Sequence, residues 1–115
     1  MEEGTVLCGA SAYEKKYYLN PEFSSLPQHI RDELQILCVT FTEEIGGVFS
    51  IAFDELGSLN LKTEALDADA MYDEIGAGLR IKAMQTEKKE LFRSLELFYK
   101  IFWLGMGEEQ DVQAP

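Results

Sequence analysis

Histidine occurs once in this sequence, at position 29, cysteine twice and proline three times, and ten basic residues stand against twenty-one acidic ones. Each scarcity removes a class of function. A Ser-His-Asp or Cys-His arrangement has to recruit His29, which follows Pro27-Gln28 at the start of a helical run and is expected on the surface, away from any nucleophile motif. No GxSxG, no phosphate-cradling glycine-rich loop and no Cys-x-x-Cys is present, so the reading leans away from an enzyme and expects no cofactor. Cys8 and Cys38, with no export signal in the acidic start MEEGTVLCGAS, fit free thiols in a reducing cytoplasm. No apolar run approaches the ~18 residues of a membrane span. A net charge of −11 repels nucleic-acid phosphates and anionic headgroups, so neither nucleic acid nor membrane is an expected partner.

What is present describes a folded chain. Apolar residues make up 46% and charged residues 27% of 115, enough for one hydrophobic core. The division expected is a single α+β domain over residues 1–104 and an acidic flexible tail over 105–115. Thr5 to Ala12 and Tyr17 to Leu19 read as extended segments, one strand or two. Ser25 and Gln28 have capping-box spacing, with Pro27 in a position the first turn tolerates. Ile30, Leu34, Leu37, Phe41 and Ile45 then recur at steps of three and four; Ile36, Cys38 and Val39 widen the stripe until burial on more than one side is expected. Gly46-Gly47 ends this helix.

Val48 to Phe53 alternates strictly, with Phe49, Ile51 and Phe53 on one face, and Asp54-Glu55-Leu56-Gly57 has the Asp-first, Gly-last form of a type I turn. Ser58 to Glu64 alternates again, completing an antiparallel hairpin. From Asp67 a further helix is expected, with Met71, Tyr72, Ile75, Leu79 and Ala83 as its core stripe and Gly76 and Gly78 weakening it. Whether it runs on unbroken is open, because Gln85 to Glu90 is wholly polar. Thr86 to Leu104 is the strongest amphipathic pattern, carrying Leu91, Phe92, Leu95, Phe98, Tyr99, Phe102 and Trp103. The fold class implied is a two-layer α+β domain: an antiparallel sheet of three to four strands, helices on one face, and a C-terminal aromatic amphipathic helix.

Four groups of residues are candidates for function. Phe98, Tyr99, Phe102 and Trp103 place four aromatics within six positions, more than one helix face hides easily, and point to contact with another protein or a second copy. Between Arg80 and Lys100 six bases face three acids; Arg80, Lys82, Lys88, Lys89 and Arg93 are the alternative, a site for a small anionic ligand. Asp67, Asp69, Asp73 and Glu74 suggest a cation site, but the stretch lacks the central glycine and terminal glutamate of an EF-hand, and helix capping accounts for it, so no metal is expected. Glu43-Glu44 sits at a helix C-terminus, where the dipole disfavours carboxylates and a compensating base is called for. Cys38 is expected in the core, with Cys8 beside Gly9 the more exposed of the two thiols.

The strings CGASAYEKKYYLN, LPQHIRDELQILCVTFTEEIGG, MYDEIG and ELFRSLELFYKIFWLG resemble a family of small proteins from clostridial Firmicutes catalogued as a domain of unknown function. The resemblance spans Val6 to Gly105 and implies a bacterial, cytoplasmic, stand-alone domain; it brings no activity, cofactor or catalytic residue. The helix–hairpin–helix from Ile30 to Leu79 is also similar to roadblock-type regulatory domains, with a departure after Leu79, where that family has further strands. Together these readings point to a non-enzymatic interaction or regulatory module that works through its C-terminal helix.

Overall fold

The computed structural model describes residues 4–105, so the tail expected over 105–115 lies, but for Gly105, outside the described residues. In chain order the elements are strands β1 (Thr5–Ser11) and β2 (Lys16–Leu19), helix α1 (Gln28–Glu44), strands β3 (Val48–Phe53) and β4 (Leu59–Glu64), and helices α2 (Glu74–Glu87) and α3 (Lys89–Phe102). A short 3-10 turn, Pro21–Phe23, links β2 to α1. The four strands form one antiparallel sheet in the order β2-β1-β3-β4. The open question in the first twenty residues thus resolves to a hairpin. Its turn lacks glycine, and Lys15 takes the left-handed conformation instead, at φ +53°.

Register decides which side chains meet. Cys8 pairs with Ile51, Ala10 with Phe49, Ile51 with Leu61 and Phe53 with Leu59, which puts all of them on one face of the sheet. α1 and α3 both pack on that face: Phe41 stacks on Phe49 at 4.3 Å and Tyr99 on Phe53 at 4.1 Å between ring centres. Phe23, Phe41, Phe49, Phe53, Leu7, Leu34, Ile51 and Met84 are fully buried between the layers, each contributing about 1.5–3 kcal/mol. The opposite face has no helix over it among the described residues; Val6 and Tyr18 are exposed there, with Gly9, Ser50 and Ala52 between them. A bulge between Val6 and Cys8 turns both Leu7 and Cys8 inward, which buries the thiol expected to be the more exposed one.

Local chemistry sets the helix ends, and here several expectations change. α1 starts behind Pro27, whose carbonyl accepts from the Ile30 and Arg31 amides at 3.0 Å; Ser25 does not cap it. Gln28 turns forward along the helix, donating to Asp32 Oδ1 at 2.8 Å. The middle of α1 is not buried all round either: Ile36 faces solvent, because only one side of the helix meets the sheet. Gly46 and Gly47 end it with φ of +90° and +71°. A Cβ on Gly47 would stand 2.5 Å from the Glu64 carbonyl oxygen and 2.7 Å from the Tyr72 ring, so glycine is required there twice over.

α2 begins at Glu74, later than the sequence pattern suggested. The stretch from Asp67 to Tyr72 is held in turns, by Asp69 N–H donating to the Leu66 carbonyl and Tyr72 N–H to that of Asp69. Asp73 then caps the helix, its Oδ1 accepting from Gly76 N–H at 3.0 Å. The expected core stripe holds only at Tyr72, which packs half-buried against the core. Met71, Ile75, Leu79 and Ala83 are exposed, whereas Ala77 and Met84 are the buried positions. α2 and α3 are two helices, parted at Lys88, whose backbone (φ −110°, ψ 27°) leaves the helical region.

Candidate functional site

The end of α3 is an aromatic cluster built around Phe23. Its ring lies 4.9 Å from Trp103, 5.7 Å from Phe53 and 6.4 Å from both Phe98 and Tyr99. The 3-10 turn supplies Phe23 because Asn20 Oδ1 accepts from Glu22 N–H and bends the chain under α3. The four aromatics singled out from the sequence separate here. Tyr99 is 3% exposed, stacked nearly parallel to Phe53, with its hydroxyl 2.9 Å from Thr5 Oγ1. It belongs to the core and leaves the set of outward-facing residues. Phe98 is half-buried, and Phe102, 5.0 Å from it, is 72% exposed. Trp103 stacks on Phe23 and Tyr99 and remains 39% exposed.

The split follows from length. β3 ends at Phe53, beneath Tyr99, and the β3–β4 turn reaches only as far as Lys100 and Leu104, which flank Gly57. Phe102 has no strand to lie on and is 72% exposed, whereas Leu104 reaches back to the turn and is 36% exposed; the turn's own Leu56 is exposed as well. Leu56 was not among the residues the sequence pointed to; its place in a polar turn was the available signal.

The five bases of the alternative site do not converge. Arg80 Nε pairs with Glu44 Oε1 at 3.1 Å, supplying the base that the carboxylate at the C-terminal end of α1 called for. Lys88 Nζ pairs with Glu33 Oε2 at 2.9 Å, so both contacts clamp α2 and its junction to α1. Lys89 and Arg93 border a 200 Å³ hollow over Leu59 and Leu61, shared with Glu96, whose Oε2 accepts from Leu59 N–H at 2.8 Å. Lys82 stands exposed on α2.

The remaining candidates have local roles. Asp73 caps α2 and Asp69 accepts from the Tyr13 hydroxyl at 2.6 Å, which raises the Tyr13 phenol above its ordinary range. Among the described residues no group of three or more His, Cys, Asp or Glu is placed to hold a metal. His29 is exposed in the first turn of α1. The Cys8 and Cys38 sulfurs lie 3.7 Å apart, both fully buried. The neighbouring thiol, together with burial, pushes Cys38 far above the usual thiol range, so neither nucleophilic nor ligating thiolate chemistry is favoured there.

Over residues 4–108 the chain matches the model of one protein family, described as a family of unknown function (DUF6145). The chain belongs to that family. No curated protein and no solved structure matches this DUF6145 chain. Membership therefore agrees with the resemblance in the four sequence strings and adds no chemistry to it. No helix among the described residues is long and apolar enough to cross a membrane.

Proposed function

We propose that this DUF6145 chain is a non-catalytic interaction or regulatory module that engages another protein through the outer end of α3. The observation that carries the reading is Phe102, 72% exposed beside Phe98, at a helix end where Trp103 and Leu104 are also exposed. An aromatic set on a helix end that has overrun its own sheet supplies rigid anchors with little ordering cost on binding, and such anchors dominate interface energetics. The anion-binding alternative is weaker, since two of its five bases are taken up in pairs with Glu44 and Glu33.

A photo-crosslinking amino acid at position 102, with the chain expressed in its native host, tests this. One or a few discrete adducts are expected from position 102, reduced several-fold by Trp103→Glu, and none in common with the same probe at Ile36 on α1. Adducts that are identical from both positions, or absent from position 102, would count against the reading.

A further inference from the structure

α2 carries apolar side chains on two opposite faces. Ala77 and Met84 point inward and are buried, with Ile81 half-buried beside them. On the other side Ile75, Leu79, Lys82 and Thr86 follow at steps of four, three and four, a seam that lies about 180° around the helix from Ala77 and Met84. Ile75 is 78% and Leu79 64% exposed, and Met71, just ahead of the helix, is 91% exposed. A row of large exposed aliphatics on the far side of a packed helix marks a contact surface. Next to the seam stands Gly78, with no atom within 4 Å of where a Cβ would be. Among the described residues nothing requires that glycine, which weakens the helix relative to alanine; a second backbone approaching closely would.

Charge selects the occupant. The exposed Glu74 flanks the start of the seam, and Lys82 stands in it further on; Asp73 is taken up in capping Gly76 N–H. A parallel neighbour sets acid against acid. An antiparallel copy, related by a two-fold axis near Gly78 and Leu79, lays Ile75 of each chain against the Lys82 stem of the other and brings each Lys82 ammonium to the other chain's Glu74. Residues 106–115 of the same chain hold Glu108, Glu109 and Asp111 and no base, so they share the sign of the acidic end and complement it poorly. We propose that the outward face of α2 is a self-complementary, antiparallel homodimer interface. It is separate from the α3 end and does not depend on the reading given to it. A helix about 21 Å long covers well under the roughly 800 Å² per partner of a standard stable complex, so the pair is weak and readily exchanging.

Sedimentation of the full chain, from about 5 µM to about 1 mM to bracket a micromolar-range Kd, should show the mass climbing from 13.0 kDa towards two chains. Ile75→Glu and Leu79→Glu should each hold the mass at one chain throughout, with unchanged circular dichroism, because both positions are already in water. Lys82→Glu should weaken association at least tenfold, and adding Glu74→Lys should bring it back to within a few-fold of the parent. Gly78→Cys should yield a covalent dimer under mild oxidation. A parent chain that stays at 13.0 kDa across the range overturns the proposal. So does a dimer that survives Ile75→Glu and Leu79→Glu but is lost with Phe102→Glu, which puts the contact on α3, or a charge reversal that restores nothing.

Discussion

Truncating Tyr99 to alanine separates a core aromatic from an exposed one three residues away. The ring is 3% exposed, lies 4.1 Å from Phe53 and 5.5 Å from Trp103, and its hydroxyl bonds Thr5. Large-to-small replacement of a buried aromatic costs about 3–5 kcal/mol. Tyr99→Phe keeps the ring and loses only the bond to Thr5, about 1 kcal/mol. Phe102→Ala, at 72% exposure, should stay within about 0.5 kcal/mol. Against a total of about 5–15 kcal/mol for a small domain, Tyr99→Ala removes a large share, about 12–20 °C of Tm at ~4 °C per kcal/mol. Urea unfolding, followed by far-ultraviolet circular dichroism and by Trp103, the one tryptophan, reads all three variants. The expected order of midpoints places the parent and Phe102→Ala together, then Tyr99→Phe, then Tyr99→Ala, at constant slope. Equal costs for Phe102→Ala and Tyr99→Ala would refute the claim that the helix overruns the sheet between them.

Two further outcomes follow from local chemistry. Asp73→Ala deletes the cap on Gly76 N–H and should cost about 0.5–2 kcal/mol; Asp73→Asn should restore most of it in the same unfolding assay, since the amide oxygen still accepts. Stability should also fall at alkaline pH. Burial first, and then the nearby Cys8 and Cys38 thiols, raise the Tyr17 phenol, and Cys38 is itself raised. Both groups stay neutral in the fold after they have ionised in the unfolded chain, so their contribution is complete below the unfolded values, about 8.5 for thiol and 10 for phenol, and is lost as pH rises above them. The urea midpoint should therefore decline from about pH 8.5 and more steeply above about 10. Tyr17→Phe should flatten the upper part. At neutral pH that variant should cost little, because the Tyr17 hydroxyl is buried without a hydrogen-bond partner among the described residues.

The β3–β4 hairpin is legible in the sequence, because alternation and turn chemistry agree there. Phe49, Ile51 and Phe53 point inward, and the Asp54 carboxylate closes the turn by accepting from Leu56 and Ser58 N–H at 2.9 Å. α2 was not legible, for a physical reason. It carries large apolar residues on both faces, Ile75 and Leu79 outward and Ile81 and Met84 inward, and the inward face needs a small side chain at Ala77, so periodicity does not pick the side. The start of α1 was misplaced because Ser25 and Gln28 have capping-box spacing, but Gln28 bonds forward to Asp32 and a proline carbonyl opens the helix. In α3 the 3.6-residue pattern selected Leu91, Phe92, Leu95 and Tyr99 correctly. Where that helix runs off the sheet is a matter of strand length across the layer, which no local pattern encodes. Tyr99 and Phe102 look alike in sequence for that reason.

The strand order has a kinetic consequence. β1–β2 and β3–β4 are each hairpins closed by short turns, but the two central strands meet only across α1, from Ser11 opposite Val48 to Thr5 opposite Phe53. Each hairpin can form on a microsecond scale, whereas joining them requires the whole intervening loop to close before any contact repays it. Closure of the β1–β3 seam is therefore the step expected to limit folding, and before it closes the central edges of both hairpins are unpaired. Lys16, on the outermost strand, protects an edge of the finished sheet; the edges of β1 and β3 carry no base. Until the seam forms they are the strands most available to another chain, and speed of closure is their protection.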